Sequence, residues 1–189
     1  VTEYQREELG KYISDQSHMN EEETARALKM LEASERPFVF VGGGAVTSGA
    51  SGELKEFVER LDAPVTDSLM GKGAFPGTDP RYTGMLGMHG TKTSNYGVSE
   101  CDLLVVVGAR FSDRVTGNTE TFAKNAKILQ IDIDPAEINK NIIVTEELIG
   151  DIKEVLRVLN KHLKQQDHSE WMEKIRSYKE KYPLKYHPD

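Results

Sequence analysis

The chain has 189 residues, with 24 Lys and Arg against 31 Asp and Glu, so its formal net charge is −7. The basic residues are scattered, and no apolar run approaches the roughly 18 residues that span a bilayer, which argues against a nucleic-acid or membrane partner. The single cysteine, Cys101, excludes a disulfide framework and every multi-cysteine metal motif, so we expect a reducing, cytoplasmic location.

Helix and strand patterns alternate through the first half of the chain. Residues 1–20 are polar and are predicted to be an inter-domain linker. An amphipathic helix capped by Asn20 comes next, and Phe38–Val41 has the pattern of a short strand buried on both faces. After Gly42-Gly43-Gly44, a helix of about ten residues leads to a second strand at Pro64–Ser68. These elements make one βαβ unit.

The second half repeats this alternation after an irregular stretch. Residues 69–89 are rich in Gly, Met and Pro without a clear period, which predicts a long functional loop or a disordered one. A helix is expected at about 90–99. Strands are then predicted at Leu103–Val107, Lys127–Ile131, Ile142–Val144 and Glu147–Ile149. Two helices follow, one capped by Asp151 and one over about 169–181.

Buried strands that alternate with helices indicate a parallel sheet with helices on both faces. The predicted fold is therefore doubly wound α/β, with a mainly parallel six-stranded sheet. We expect a central nucleotide-binding domain over residues 21–165, followed by a C-terminal helix and linker over 166–189.

The residues that follow each strand indicate where a ligand would bind, because ligands of doubly wound sheets lie outside the carboxyl ends of the strands. Gly42-Gly43-Gly44 follows the first strand, Gly108-Ala109-Arg110 the third, and Asp132 the fourth. Glycines allow close approach, arginine neutralises phosphate and aspartate accepts from ribose hydroxyls, so together they predict a nucleotide site. The glycines by themselves fit a tight turn equally well. Thr47 also stands where the last glycine of G-x-G-x-x-G belongs, which argues against an ordinary NAD-binding domain.

Other polar residues have simpler explanations. Arg110 and Arg114 either form a solvated loop that Asp113 neutralises or, as their place at a strand end favours, recognise a phosphate or carboxylate. Asp134 directly precedes Pro135 and is expected to cap a short helix. His89 is interpreted as a hydrogen-bonding loop residue, and no metal site is predicted. The residues alone therefore indicate a nucleotide-binding domain without visible catalytic machinery.

Two long segments, Met85–Thr91 and Gly108–Gly117, carry a specific family pattern, M-L-G-M-H-G-T and G-A-R-F-S-D-R-V-T-G. Together with Gly71–Pro76 and Ile131–Ile138, they resemble the central domain of the catalytic subunit of acetolactate synthase, a thiamine-diphosphate enzyme. The resemblance runs from about Glu22 to the C-terminus. It points to the flavin-containing biosynthetic type and away from its flavin-free relatives.

The resemblance implies that this domain holds FAD in an extended form, with a structural instead of a redox role. The implied FAD-binding residues run from the adenine end (Asp132, Ile133, Gly150 and Asp151) through the phosphates (Gly42, Gly43, Gly44 and Arg110) to the flavin (Ser68, Leu69, Gly87, Met88 and His89), with Gly108, Ala109, Arg114 and Val115 also in the set.

The resemblance also implies a larger parent of three α/β domains. Thiamine diphosphate and Mg²⁺ would lie between the two outer domains, and since this chain has no Gly-Asp-Gly motif, we expect it to be inactive alone. The parent would decarboxylate pyruvate and join the product to pyruvate or 2-oxobutanoate, in branched-chain amino acid synthesis. Arg114 resembles the family's arginine that orients the second keto acid, and Ser112 stands where many members have aspartate. The parent is expected to be a homodimer or tetramer, with or without a regulatory subunit.

A second hypothesis is a non-catalytic nucleotide-binding or scaffold domain from a flavin-free thiamine-diphosphate relative. Its strand-end residues would then be structural. A preference for FAD over ADP separates the two hypotheses.

Overall fold

The computed structural model describes residues 20–184, so residues 1–19 of the predicted linker and residues 185–189 lie outside it. The strands are β1 (Pro37–Val41), β2 (Val65–Asp67), β3 (Tyr82–Met85), β4 (Leu103–Val107), β5 (Lys127–Asp132) and β6 (Glu146–Ile149). The helices are α1 (Glu21–Glu32), α2 (Gly43–Thr47), α3 (Ser51–Leu61), α4 (Lys92–Glu100), α5 (Asp113–Thr116), α6 (Ile152–His162) and α7 (Ser169–Lys181), with 3₁₀ turns at Leu69–Gly71 and Pro135–Glu137.

The six strands form one sheet in the order β3-β2-β1-β4-β5-β6, and every neighbouring pair is parallel. The two central strands, β1 and β4, pair over their whole length, from Pro37 opposite Leu103 to Val41 opposite Val107. All ten of their residues are buried, as expected where helices cover both faces. The predicted fold class is confirmed.

Each face of the sheet has its own apolar core. Helices α1, α3 and α6 cover one face with side chains such as Leu31, Phe57 and Leu156. Helices α4 and α7 cover the other face, where the buried Trp171 donates its indole N–H to the Pro37 carbonyl at 2.9 Å. Cys101 lies in this second core, and burial raises the pKa of its thiol to about 12, so it stays protonated and packs as a small apolar residue.

Strand β3 lies inside the stretch that the sequence predicts to be a loop, so that prediction is wrong for Tyr82–Met85. The strand has only four residues, one of them is Gly84 at φ +96°, and its register against β2 is irregular. A short edge strand that is partly exposed shows no alternation long enough to recognise. Residues 69–81 do form the turn and loop that were expected.

The strand predicted at Ile142–Val144 is also wrong. These residues lie in the loop before β6, with Ile142 packed against the second core and Ile143 78% exposed. An apolar run of three residues cannot distinguish a strand from a loop that buries one side chain. The predicted helices 90–99 and 169–181 are confirmed as α4 and α7. Within residues 20–184, no helix is both long and apolar enough to cross a bilayer.

Candidate functional site

A crevice opens at the carboxyl ends of the strands, where β1 and β4 lie side by side. The chain leaves β1 toward β2 over one face and leaves β4 toward β5 over the other, so the two connections diverge and leave space between them. The resulting cavity has a volume of about 690 Å³. It is lined by Gly43, Gly44, Thr47, Ser48, Ser68, Met70, Gly108, Ala109, Arg110, Ser112, Val115, Asp132, Ile133, Asp134, Asp151 and Ile152.

Glycines form the floor of the cavity because two strand-end loops touch there. The Gly42 N–H donates to the Val107 carbonyl at 2.9 Å, and the Gly44 N–H donates to the Gly108 carbonyl at 3.0 Å. A Cβ on Gly42 would lie 2.2 Å from the Gly108 oxygen, and Gly108 itself has φ +56°. Gly42 and Gly44 are thus required for the contact between the loops, whereas Gly43 and Gly44 face the cavity.

Arg110 supplies the positive charge at the middle of the cavity. Its side chain is 74% exposed and lies 3.4 Å from Glu137, whose carboxylate also pairs with Lys140. Among the lining residues that the structure describes, Arg110 alone is a cation. An exposed guanidinium with one shared partner has N–H groups to offer to an anion.

Acidic side chains gather at the β5 and β6 end of the cavity. Asp132 ends β5 and is buried, and its Oδ1 accepts from the Asp134 N–H at 3.1 Å. Burial raises the pKa of Asp132 above its ordinary value, against the hydrogen bonds from the Asp134 and Ile133 backbone. Asp151 caps α6 by accepting from the Lys153 N–H at 3.0 Å, as predicted. These carboxylates can accept from hydroxyls or an amine.

Asp134 confirms its predicted capping role, since its Oδ1 accepts from the Ala136 N–H at 3.0 Å in the 3₁₀ turn that Pro135 begins. Gly150 is buried and donates its N–H to the Asp132 carbonyl at 2.9 Å without lining the cavity. In the described part of the chain, no three His, Cys, Asp or Glu side chains come together in a way that would hold a metal ion.

The turn after β2 forms the opposite wall. Ser68 accepts from the Gly71 N–H through its Oγ at 3.1 Å and thereby caps the 3₁₀ turn Leu69–Gly71. Met70 lines the cavity and is 75% exposed, and the neighbouring Leu69, which does not line it, is 70% exposed. This end is apolar except for Ser68, in contrast to the acidic end.

The loop Gly87–His89 lies against α5 and does not line the cavity. The Met88 N–H donates to the Arg114 carbonyl at 3.0 Å. Gly87 has φ +97°, and a Cβ there would lie 2.4 Å from the Arg114 oxygen. Met88, His89 and Arg114 are exposed, so their side chains are available beyond the cavity rim.

Of the site residues that the sequence and the resemblance predict, ten line the cavity: Gly43, Gly44, Ser68, Gly108, Ala109, Arg110, Val115, Asp132, Ile133 and Asp151. The others, Gly42, Leu69, Gly87, Met88, His89, Arg114 and Gly150, lie in the same strand-end loops without lining it. The sequence analysis did not assign the other six lining residues to the site: Thr47, Ser48, Met70, Ser112, Asp134 and Ile152. Thr47 is one helical turn beyond Gly43, so a helix beginning directly at Gly43 was the signal that would have found it.

The family to which this fold and site belong is shown by comparison with known proteins. The family model described as the thiamine pyrophosphate enzyme central domain matches residues 24–159. The chain therefore belongs to this family, and it is a central domain of a thiamine pyrophosphate enzyme.

Its relatives include acetolactate synthase large subunits. Those of Cyanidium caldarium and Haemophilus influenzae are 48% and 46% identical to this chain over 163 and 167 residues. The matches cover 82% and 85% of this chain but 28% and 29% of the relatives. The chain thus spans less than a third of their length, and the resemblance seen in its motifs is confirmed.

A solved structure has the same fold. A Mycobacterium smegmatis protein, provisionally assigned as a thiamin diphosphate-dependent enzyme, superposes with a TM-score of 0.67 and 29% identity. The superposition covers 80% of this chain and 29% of that one.

Proposed function

We propose that this domain binds FAD along the carboxyl edge of its sheet, within a parent that is an acetolactate synthase. The observation that carries the proposal is a row of residues along the cavity, in which the turn at Ser68, the glycines, the arginine and the aspartates follow one another. Strand order places the Ser68 wall at β2, the glycines at β1, Arg110 at β4, Asp132 at β5 and Asp151 after β6. With neighbouring strands about 4.8 Å apart, that row extends over roughly 19 Å, which suits an extended dinucleotide better than a mononucleotide.

Each part of the row fits one part of FAD. The acidic end at Asp132 and Asp151, with Ile133 52% exposed beside it, suits ribose hydroxyls and the apolar face of adenine. Gly43, Gly44 and Arg110 suit the two phosphates, because backbone can approach closely and the guanidinium neutralises charge. The turn at Ser68 and the neighbouring Gly87–His89 loop would meet the flavin.

Ser48 gives independent support for a polar ligand. Ser48 lines the cavity, and its Oγ is buried without a hydrogen-bond partner among the described residues. A buried hydroxyl without a partner is costly, and rotation of the Ser48 side chain toward the cavity would let a ligand oxygen remove that cost. The resemblance assigns FAD a structural role, so the domain would position the flavin without redox chemistry.

The parent's reaction would be carried by thiamine diphosphate with Mg²⁺, held by parts of the polypeptide that this chain does not contain. The resemblance implies that the parent decarboxylates pyruvate and joins the product to pyruvate or 2-oxobutanoate. The relatives named acetolactate synthase large subunit support that assignment. Arg114 would reach the second keto acid, since its guanidinium is exposed at the rim and suits a carboxylate. We also propose the cytoplasmic location and the homo-oligomeric parent that the sequence and the resemblance imply.

Titration of the purified chain with FAD, ADP and NAD tests the cofactor. We expect saturable FAD binding that is tighter than ADP or NAD binding. Arg110→Ala should weaken FAD about tenfold or more, because a charge-assisted hydrogen bond is lost, and the difference should shrink at high salt. Arg176→Ala is the matched control, since Arg176 is exposed on α7 and pairs with Glu173 away from the cavity.

The outcomes separate the two hypotheses of function. FAD and ADP of equal affinity would indicate a general nucleotide module and contradict the flavin assignment. Failure to bind any nucleotide, together with a full-length parent that purifies without flavin, would indicate the scaffold domain of a flavin-free relative.

A further inference from the structure

Three side chains form a polar cluster around the buried Asp67, beside the cavity and at the end of β2. We name Asp67, Lys72 and Tyr82 the Asp67 cluster. Asp67 is 4% exposed, and its Oδ2 accepts from the Tyr82 hydroxyl at 2.8 Å. The Lys72 ammonium donates to Asp67 Oδ1 at 3.3 Å and to the Tyr82 oxygen at 3.2 Å. Each member thus contacts the other two.

The Asp67 cluster flanks the Ser68–Gly71 turn, which forms one wall of the cavity. Asp67 directly precedes the Ser68–Gly71 turn and Lys72 directly follows it, so their contact closes the turn at both ends. Ser68 and Met70 within that turn line the cavity. The Asp67 carbonyl also accepts from the Leu86 N–H at 3.0 Å, which fixes the start of the loop that carries Gly87–His89.

The backbone of the Ser68–Gly71 turn is also restricted by its own hydrogen bonds and by packing on β1. The Gly71 N–H donates to the Ser68 carbonyl at 3.0 Å and to the Ser68 Oγ at 3.1 Å. A Cβ on Gly71 would lie 2.3 Å from the Val41 carbonyl oxygen, so this backbone packs directly on the end of β1. Movement of Lys72 or Asp67 would therefore be transmitted to Ser68 and Met70.

The electrostatics are consistent with a held carboxylate. Burial and the hydrogen bond to Asp67 raise the pKa of Tyr82, so its hydroxyl keeps its proton and donates. Burial lowers the pKa of Lys72, but Tyr82 and Asp67 outweigh that effect and leave the pKa raised, so the ammonium stays charged. A buried carboxylate is costly without such partners.

A carboxylate, a lysine and a tyrosine come together a second time, away from the cavity. Tyr178 donates to Glu100 at 2.7 Å, and Lys174 pairs with the same carboxylate, which joins α7 to α4. This second trio connects two helices and touches no lining residue. The Asp67 cluster therefore differs from this second trio in its place beside the cavity-lining turn.

We propose that Asp67, Lys72 and Tyr82 are positioning residues that hold the Ser68–Gly71 turn in its cavity-lining conformation and thereby set the affinity for the flavin half of the ligand. The inference rests on the proposed FAD function. It assigns a role to side chains that do not themselves contact the ligand.

The test combines two readouts on the 189-residue chain. The variants are Tyr82→Phe and Lys72→Met, and the matched controls are Tyr178→Phe and Lys174→Met. Hydrogen exchange of the Gly71 amide reports on the turn without ligand. Calorimetric titration with FAD and with ADP reports on the flavin and adenosine halves separately.

We expect both Asp67-cluster variants to speed Gly71 exchange and to weaken FAD roughly three- to tenfold, while ADP affinity stays the same. Lys72→Arg should restore FAD affinity, because it keeps the charge. Both controls should leave Gly71 exchange and FAD affinity at wild-type values.

Unchanged Gly71 exchange, or an equal loss of FAD and ADP affinity, would overturn the inference. So would an unchanged FAD affinity alongside faster exchange. If the wild-type chain binds ADP but not FAD, the proposed flavin function fails first, and faster exchange would then show that the cluster holds the turn for some other purpose.

Discussion

Asp132 lines the candidate site, and its ionised carboxylate destabilises the fold. Its carboxylate ends β5, is buried, and faces the charges of Asp134 and Glu137, all of which raise its pKa. When a carboxyl whose pKa is raised on folding ionises, it destabilises the folded state, because the unfolded chain holds the negative charge at lower cost. That penalty is absent below the ordinary pKa of aspartate and is complete once pH has passed the raised pKa.

Asp132→Asn should therefore raise the free energy of unfolding at pH 7 and have little effect below about pH 3.5. The amide oxygen can still accept from the Asp134 N–H. The same variant should weaken FAD and ADP alike, since a ribose acceptor loses its charge. Chemical denaturation at the two pH values, with parallel titrations, measures both effects.

Asp167→Asn is the control of opposite sign. The Ser169 backbone N–H lowers the pKa of Asp167, so this carboxylate stabilises the fold above its ordinary pKa and loses that contribution as pH falls through the lowered value. Its replacement should be neutral or destabilising at pH 7. A stabilising effect for both variants would indicate relief of general negative charge and would contradict the local account of Asp132.

At the scale of elements, the contact between the β1 and β4 loops determines whether the crevice forms. Gly42→Ala would place its Cβ 2.2 Å from the Gly108 oxygen, which is backbone and cannot rotate away. We expect it to destabilise the fold by more than about 2 kcal/mol, as other strained or overpacked substitutions do. The free energy of unfolding in urea measures this loss.

Gly52→Ala is the control for glycine replacement as such. Gly52 lies in the first turn of α3, and nothing lies within 4 Å of a Cβ built there. Alanine should stabilise the fold by up to about 1 kcal/mol, because the unfolded chain loses freedom. Equal destabilisation by both substitutions would contradict the steric account of Gly42.

The elements also show what the sequence can and cannot predict. Continuous buried strands such as β4 are evident from composition, and the strand-end rule then locates Gly43, Arg110 and Asp132 without further information. Strand β3 was missed because its four residues include a glycine with positive φ. Cavity residues such as Ser48 depend on where α2 begins, and the flavin end could be assigned only through the family resemblance.

At the scale of the whole molecule, this chain corresponds to less than a third of its relatives' length, so the proposed activity is tested in the parent. The exposed Arg114 at the cavity rim is then expected to act across a domain boundary. Arg114→Ala in the parent should lower turnover and raise the KM for the second keto acid at least tenfold, because a charge-assisted contact is lost, while FAD content stays largely intact. Steady-state kinetics with pyruvate and 2-oxobutanoate checks this, and an unchanged substrate preference would count against the role.

The central claim is that FAD binds in the cavity at the ends of β1 and β4. Its most direct test is an NMR titration of the isotopically labelled chain with FAD, in which the backbone amide chemical shifts are followed. The cavity at the β1 and β4 ends predicts saturable shifts at Gly44, Gly108, Arg110 and Asp132, with further shifts at Ser68 that ADP does not produce. Shifts confined to another surface, such as the groove between Pro80 and α7, would contradict the claim, as would none at saturating FAD.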